Sequence, residues 1–253
     1  IAIYYGLCTQ DDAFISFRYS ENLALGNGLV FNIGERVEGF SNPSWTLLFA
    51  LVIKLGLDPV IPSLFIGYLS IVFLTYATAR LAKQMGGVIW ISCWLVALDP
   101  SMILESVQGL ESVFYAGLLT LACARLLEER ETNNHYQVST FLFGLACFTR
   151  PEAPLFFVMA HGALLLKDKS LKKCVIATIP IVLLLASMTI FRILYYDDIL
   201  PNTFYAKVGG GSGAMLRGFK YCFDHMKHHP IMWLGFFFIF KNFRDTAWLM
   251  LLS

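Results

Sequence analysis

The chain has 253 residues, of which 57% are hydrophobic and only 15% are charged. Soluble domains carry about 25% charged residues, so this composition excludes an ordinary soluble fold and indicates an integral membrane protein. The net charge of +1 gives no electrostatic reason to expect nucleic-acid binding. The six cysteines are scattered without a C-x-x-C pair, which is typical of buried apolar residues and not of a disulfide framework or metal site.

Apolar segments predict a series of membrane-spanning helices along the chain. They are a stub ending near Leu7, then residues 61–82, 88–98, 110–127, 138–148, 153–166, 174–195 and 230–240, and a last segment from residue 247 onward. Several are shorter than the roughly 20 residues that a span needs, so half-helices are expected among them. Because the chain starts without Met and stops inside an apolar run, we expect residues 1–253 to be a transmembrane domain cut from a longer polytopic protein.

A further apolar segment, residues 45–57, needs a separate interpretation. It is shorter than the roughly 20 residues of a span, follows Pro43 and carries Lys54. We therefore expect it to lie along the membrane surface, inside a first external loop that covers residues 8–58.

Basic residues fall in every second connection between the predicted spans, which places those connections in the cytoplasm by the positive-inside rule. These residues are Arg80, Lys83, Arg125, Arg130, Lys167, Lys169, Lys172, Lys173, Lys241 and Arg244. The alternate connections contain Asp11 with Asp12, residues 99–111, 149–152 and 195–207, so all four would reach the outer face. If residues 45–57 crossed the membrane, every later connection would change sides.

The first external loop begins with two adjacent carboxylates, Asp11 and Asp12. From there to Gly26, apolar and polar side chains recur at helical spacing and predict a helix that lies in the membrane interface. One acid could cap this helix, but only one of the two can do so well. Since a carboxylate is costly beside hydrocarbon, the pair is also a candidate functional group, and both interpretations stay open.

Two later charged residues lie in connections that are also predicted to reach the outer face of the membrane. Glu111 begins the span at 110–127, where an acid either complements the helix dipole or binds a ligand rich in hydroxyls. Arg150 either pairs with Glu152 or binds a phosphate, whose oxygens match its planar guanidinium.

The last polar cluster runs from Asp197 to Lys207 and leads into a glycine-rich stretch at 209–213. This stretch matches none of the glycine motifs that bind phosphate between a strand and a helix. We therefore interpret residues 208–229 as a flexible connector.

Several of these stretches together resemble a known family. They are Asp11-Asp-Ala-Phe-Ile-Ser-Phe-Arg-Tyr19, Gly28-Leu-Val-Phe-Asn32, Gly34-Glu-Arg-Val-Glu-Gly-Phe-Ser-Asn-Pro-Ser-Trp45, Gly109-Leu-Glu111, Thr149-Arg-Pro-Glu152 and Leu200-Pro-Asn-Thr-Phe-Tyr-Ala-Lys207. They are similar to the polytopic lipid-linked-sugar glycosyltransferases of the GT-C superfamily, over roughly residues 5–210. The nearest branch is the bacterial one that includes the terminal arabinofuranosyltransferases of mycobacterial cell walls. Protein O-mannosyltransferases and lipid A aminoarabinose transferases are more distant.

The resemblance implies an all-α, GT-C-like bundle of transmembrane helices with interfacial helices in its first external loop. It also implies an enzyme of the bacterial plasma membrane that transfers a sugar from a polyprenyl phosphate to a glycan, lipid or protein hydroxyl outside the cytoplasm. In this family an acid of the first external loop acts as general base, here Asp11 or Asp12. Of the two we prefer Asp11, because Asp12 is the better candidate for the helix cap.

The resemblance assigns the substrates to further side chains. These are Arg150 and Lys207 for the donor phosphate, and Glu111, Tyr19, Asn202 and Tyr205 for the sugar or the acceptor. Glu111 matches the position at which relatives carry a second external acid, which orients sugar hydroxyls or, in some members, binds a metal. This chain has Gly109-Leu-Glu there instead of D-x-E, so the resemblance gives only weak support for a divalent cation, which stays an open alternative, and implies no other resident cofactor. The alternative function is a multi-pass transporter or lipid flippase, although the acids cluster at helix ends and no internal repeat is evident.

Overall fold

In a computed structural model of the chain, residues 10–132, 136–168, 171–208 and 211–228 are described. All regular structure in these ranges is α-helical, and the expectation of an all-α membrane protein is confirmed. In chain order the helices are α1 (Asp11–Ala24), α2 (Pro43–Lys54), α3 (Val60–Gln84), α4 (Ile89–Ala97), α5 (Pro100–Ser106), α6 (Ser112–Glu131), α7 (Gln137–Thr149), α8 (Ala153–Asp168), α9 (Leu171–Tyr196), α10 (Asn202–Val208) and α11 (Gly211–His228).

Two helices within these ranges are long and apolar enough to cross a membrane, namely α3 with 25 residues and α9 with 26. Helices α4 and α5 pass the same test as a pair and are bent by 56° at the break between them. The predicted stub ending near Leu7 and the predicted spans at 230–240 and from 247 lie outside the described residues.

The break between α4 and α5 corrects the prediction that a span at 88–98 is followed by a loop. Pro100 lacks an N–H and cannot continue α4, but it fits the first turn of a new helix. Asp99 caps that new helix, since its Oδ1 accepts from the backbone N–H groups of Ser101 at 2.8 Å and Met102 at 3.1 Å. The same two residues therefore end one helix and begin the next.

Helices α3 and α6 run parallel and pack against each other. In the chain they are connected by α4 and α5, which run in the opposite direction. Gly67 of α3 lies against the backbone of Ser106 at the end of α5, and Gly117 of α6 lies against Leu74 of α3. Small residues at such contacts let transmembrane helices approach closely. Farther along α3, Arg80 donates to Glu128 of α6. This far end of the bundle is called the Glu128 end.

The opposite end of the bundle gathers segments that are distant in sequence. The backbone N–H of Gln10 donates to the carbonyl of Gln108 at 3.0 Å. Ser44 donates to Thr149 at 2.9 Å, which joins the start of α2 to the end of α7. Because Glu111 lies among these segments, this side is called the Glu111 end.

Helix α2 stays at the Glu111 end. Its 12 residues extend about 18 Å at 1.5 Å per residue, well short of the roughly 30 Å of a bilayer's hydrocarbon core. Its inner face packs against α1 through Phe17, Trp45 and Phe49. This geometry supports the prediction that residues 45–57 do not cross the membrane. Which side of the membrane the Glu111 end faces stays a prediction.

The interpretation of residues 208–229 as a flexible connector is wrong for the part that is described, because residues 211–228 form helix α11. Its sequence repeats apolar residues at the helical spacing of three and four, including Leu216, Phe219 and Phe223. This periodicity outweighs the low helix propensity of the glycines.

The close contact at Gly67 makes a specific stability prediction. A methyl group on residue 67 would collide with the carbonyl oxygen of Ser106, so Gly67→Ala must push α3 and α5 apart. We expect a loss of about 1–3 kcal/mol in the free energy of unfolding, typical of overpacking, measured by thermal unfolding in detergent. Gly162→Ala in α8 is the control, because its methyl group would meet nothing within 4 Å. Equal stability of the two variants would contradict the packing described here.

Candidate active site

Helix α1 begins at the acidic pair, and neither aspartate caps it. The residue at the N-cap position is Gln10, and within the described part of the chain no side chain caps this helix. Asp11 and Asp12 occupy the first turn and are both exposed. Their negative charges interact favourably with the positive end of the helix dipole. The capping interpretation is therefore wrong, and both carboxylates stay open to a ligand.

The two aspartates lie on different faces of α1. Positions four residues apart share a helix face, so Asp12 lies in line with Ser16 and Ser20. Ser16 and Ser20 are buried and donate to Asn42 and to the carbonyl of Thr46, respectively. Asp11 is instead in line with Ile15, which is exposed. The helical register therefore places Asp12, and not Asp11, on the side of α1 that carries the buried serines.

Asn42 is the centre of that polar interior. Its Oδ1 accepts from Ser16 Oγ at 3.0 Å and from Thr46 Oγ1 at 3.3 Å, and its Nδ2 donates to Glu111 Oε2 at 2.7 Å. Asn42, Ser16, Thr46 and Glu111 are all buried. We call these four residues, together with Arg150, the Asn42 network. It links α1 and α2 to the start of α6 and the end of α7.

Glu111 is 5% exposed, and its two carboxylate oxygens are directed to protein groups. Oε2 accepts from Asn42, and Oε1 lies 3.6 Å from Arg150 Nη1. This burial corrects the expectation that Glu111 contacts a sugar or acceptor. A buried charge needs a partner, and here the carboxylate and the guanidinium partner each other.

Arg150 follows α7 and is partly exposed. Its Nε lies 2.7 Å from Glu152 Oε1, and its Nη1 donates to Ser112 Oγ at 3.4 Å. Its guanidinium carbon lies 5.7 Å from the centre of the Tyr115 ring. The predicted pairing of Arg150 with Glu152 is thus observed, while phosphate binding by Arg150 stays a prediction.

Tyr19 is buried inside the first loop and is not available to a substrate. Its hydroxyl donates to the carbonyl of Val37 at 2.7 Å and accepts from the N–H of Gly39 at 2.8 Å. Burial raises the pKa of this hydroxyl above its ordinary value of 10.0. The expectation that Tyr19 contacts the sugar or acceptor is therefore corrected, since its hydroxyl fixes the loop backbone.

A second buried charge pair docks the first loop onto α9. Arg192 Nε donates to Glu38 Oε2 at 2.8 Å, and both side chains are largely buried. The backbone carbonyl of Glu38 also accepts from the N–H of Asn202 at 2.9 Å. The start of α10 is thereby held beside the first loop.

The remaining predicted substrate contacts lie on α10. The side chains of Asn202 and Tyr205 are exposed, and the Tyr205 hydroxyl donates to Asp198 Oδ1 at 2.8 Å. This hydrogen bond lowers the pKa of Asp198 below its ordinary value. Only the backbone of Lys207 is described, so its contact with the donor phosphate stays a prediction.

Sequence reasoning missed Asn42, Glu38 and Arg192. A signal existed for Arg192, because an arginine inside the predicted span 174–195 requires a buried partner. Asn42 stands before Pro43 and reads as an ordinary helix cap, so its sequence context gave no sign that its side chain joins a network.

Two curated proteins are similar to this chain. One, from Mycobacterium tuberculosis, is named terminal beta-(1->2)-arabinofuranosyltransferase and is 29% identical over 220 residues, which cover 79% of this chain and 35% of that protein. The other, from Corynebacterium glutamicum, has the same name and is 27% identical over 94% of this chain and 38% of that protein. The chain thus spans little more than a third of the length of these relatives. The resemblance to the arabinofuranosyltransferase branch is confirmed.

No family model matches the chain, and no solved structure matches it with significance.

The Asn42 network predicts a coupling between its members. Asn42→Ala removes a hydrogen bond from a buried carboxylate, and we expect it to lower the free energy of unfolding by about 1–3 kcal/mol. Glu111→Gln removes the charge that needs this partner, so it should cost less stability in the Asn42→Ala background than in the wild type. The measurement is a double-mutant cycle of unfolding free energies. Strictly additive losses would contradict the network.

The Glu38–Arg192 pair predicts a pH dependence of stability. Burial raises the pKa of Glu38 above 4.5, and the hydrogen bond from Arg192 only partly offsets this effect. The folded state therefore binds the Glu38 proton more tightly than the unfolded state does. The contribution of protonated Glu38 to the stability of the folded state is fully present below pH 4.5. It is lost as the pH rises through the raised pKa of Glu38.

Thermal unfolding across this pH window should show the effect in the wild type and lose it in Glu38→Gln. Glu35→Gln, an exposed glutamate of the same loop, is the matched control. If Glu38→Gln kept the wild-type pH dependence, another group would be responsible.

Proposed function

We propose that this protein is a glycosyltransferase that moves a sugar from a polyprenyl phosphate to a hydroxyl acceptor, with Asp12 as the general base. One observation carries the proposal: Ser16, one helical turn after Asp12, belongs to the same network as Arg150, the candidate cation for a leaving phosphate. The names of the two relatives support a transferase of this kind and favour a pentose, such as arabinofuranose, over a hexose.

The reaction explains why an exposed carboxylate is needed. The acceptor oxygen attacks the anomeric carbon, the bond from that carbon to the phosphate oxygen breaks, and the acceptor proton passes to a base. A base must come within about 3 Å of that hydroxyl or reach it through one water. Asp12 is exposed in the first turn of α1, so an acceptor hydroxyl can approach its carboxylate.

The leaving phosphate gains negative charge as the bond breaks, so a positioned cation lowers the barrier. Arg150 can supply it, since a guanidinium binds phosphate oxygens with two parallel hydrogen bonds. Glu111 is buried and keeps Arg150 in place. Glu152 is exposed, so an arriving phosphate can displace it from Arg150. Lys207 is proposed as a second contact to this phosphate.

An apolar groove supports a lipid-linked donor. It has a volume of about 570 Å³, lies between α7 and α9, and is lined by residues that include Gly144, Phe148 and Ile181. Its lining reaches Phe148, two residues before Arg150. A polyprenyl chain in this groove would bring its phosphate to Arg150. Residues 202 and 205 of α10 are proposed to contact the sugar or the glycan, lipid or protein acceptor.

The positive-inside rule supports an active site on the outer face of a bacterial plasma membrane, because the basic connections at Lys83 and Arg130 lie at the Glu128 end. No resident metal is proposed, since Glu111 is engaged by Asn42 and Arg150 and the aspartate of D-x-E is replaced by Gly109.

A transporter or flippase is the second candidate, and the bent pair of α4 and α5 favours it, because transporters build substrate sites from broken helices. The break at Asp99 is, however, filled by its own capping hydrogen bonds. Substrate transfer across the membrane without a change in the sugar linkage would favour this candidate.

The general base is tested by isosteric neutralisation of each aspartate. Asp12→Asn should lower the turnover rate by about 10²–10⁴-fold, the range for loss of general acid–base catalysis. Asp11→Asn is the matched control and should stay close to wild type, because Asp11 lies about 100° around α1 from Asp12. It is in line with the exposed Ile15 and not with the buried Ser16. Sugar transfer is measured with the full-length protein in proteoliposomes and a panel of polyprenyl-phosphate pentoses and hexoses.

Two results would contradict the proposal in different ways. Full transfer by Asp12→Asn would remove Asp12 as the base. If the wild-type protein transferred no sugar from any donor of the panel, the proposed reaction itself would be wrong.

A further inference from the structure

The hydroxyl of Tyr115 is buried without a hydrogen bond. Tyr115 is 8% exposed, and its hydroxyl has no partner among the residues that the structure describes. Most buried polar side-chain atoms in folded proteins are paired, so an unpaired one needs an explanation. The ring alone packs well with Leu118 and Cys147 in the main core. A phenylalanine would serve that packing, so the hydroxyl itself requires a reason.

The position of Tyr115 relates it to the Arg150 site. Tyr115 follows Ser112 by three residues and Glu111 by four, so the three residues share one face of α6. Arg150 donates to Ser112 and lies 5.7 Å from the Tyr115 ring. Arg150 and Glu152 are both close enough to act electrostatically on the Tyr115 hydroxyl.

Arg150 is paired with Glu152 in the same place, but the geometry of this ion pair is poor for a hydrogen bond. Its buried Nε has no well-aligned hydrogen bond within the described residues, although it lies 2.7 Å from Glu152 Oε1. A guanidinium can only donate, and a tyrosine hydroxyl can donate as well. A group that satisfies both must therefore offer several acceptor oxygens on one small centre. A phosphate has this form.

We propose that Tyr115 is a phosphate-binding residue, whose hydroxyl donates to an oxygen of the same lipid phosphate that Arg150 binds. This inference rests on the proposed function, since it takes the phosphate to be that of the polyprenyl donor. It adds an uncharged contact to a site where the sequence predicted only Arg150 and Lys207. The hydroxyl acts on the phosphate directly, so its loss should weaken phosphate recognition and leave the contacts of the lipid tail unchanged.

The test is Tyr115→Phe in the full-length protein, which removes one oxygen and keeps the ring. Binding of polyprenyl phosphate is compared with binding of the corresponding polyprenol, which lacks the phosphate. We expect the affinity for polyprenyl phosphate to fall about tenfold to a hundredfold, typical for a hydrogen bond to a charged group. The affinity for the polyprenol should not change. Thermal stability should stay equal or rise, because the hydroxyl loses no internal partner.

Tyr76→Phe is the matched control, because the Tyr76 hydroxyl accepts from Arg80 toward the Glu128 end of the bundle. It should bind both lipids like the wild type. Wild-type affinity of Tyr115→Phe for polyprenyl phosphate, or a loss of its thermal stability, would overturn the role of Tyr115 alone. If the wild type did not prefer polyprenyl phosphate to the polyprenol, the proposed donor would be wrong, and this inference would fail with it.

Discussion

The buried carboxylate of Glu111 is the interaction on which this end of the bundle depends. A charge removed from water is costly unless hydrogen bonds and an opposite charge replace the water. Asn42 supplies the hydrogen bond and Arg150 the opposite charge. Because these partners come from segments far apart in sequence, satisfying one carboxylate fixes α2, α6 and the end of α7 relative to one another. The serine contacts of Asn42 add α1 to the same arrangement.

This constraint shapes the proposed chemistry. Arg150 belongs to the network, and Asp12 lies one helical turn before its member Ser16. The proposed base and the proposed cation would therefore both be positioned before a substrate arrives. Preorganised charges of this kind lower a barrier without the cost of moving them during the reaction. The Glu38–Arg192 pair has a parallel role, since it fixes the first loop to α9 beside the residues of α10. The Glu38–Arg192 pair and the Asn42–Glu111 hydrogen bond therefore both join the first loop to the helices of the bundle.

Much of the fold followed from the sequence, but the roles of single side chains did not. Apolar segments and alternating basic connections predicted which clusters share one end. There Glu111 pairs with Arg150, and Asp12 lies one turn of α1 before Ser16, which donates to Asn42. Burial depends on tertiary contacts that local patterns do not contain. Tyr19 lies in an amphipathic helix, yet the loop that folds back over its hydroxyl could not be read from residue spacing. Likewise Asn42 has the local context of a helix cap, while its side chain donates a hydrogen bond to the carboxylate of Glu111, 69 positions away in the chain.

The central claim is that the Glu111 end binds a lipid-linked phosphate between Arg150 and the apolar groove of α7 and α9. An experimental structure of the full-length protein with bound polyprenyl phosphate tests it most directly. We predict phosphate oxygens within hydrogen-bonding distance of Arg150 and Tyr115, with the polyprenyl chain against Gly144 and Ile181. A phosphate bound at the Glu128 end, or a chain that lies away from this groove, would contradict it.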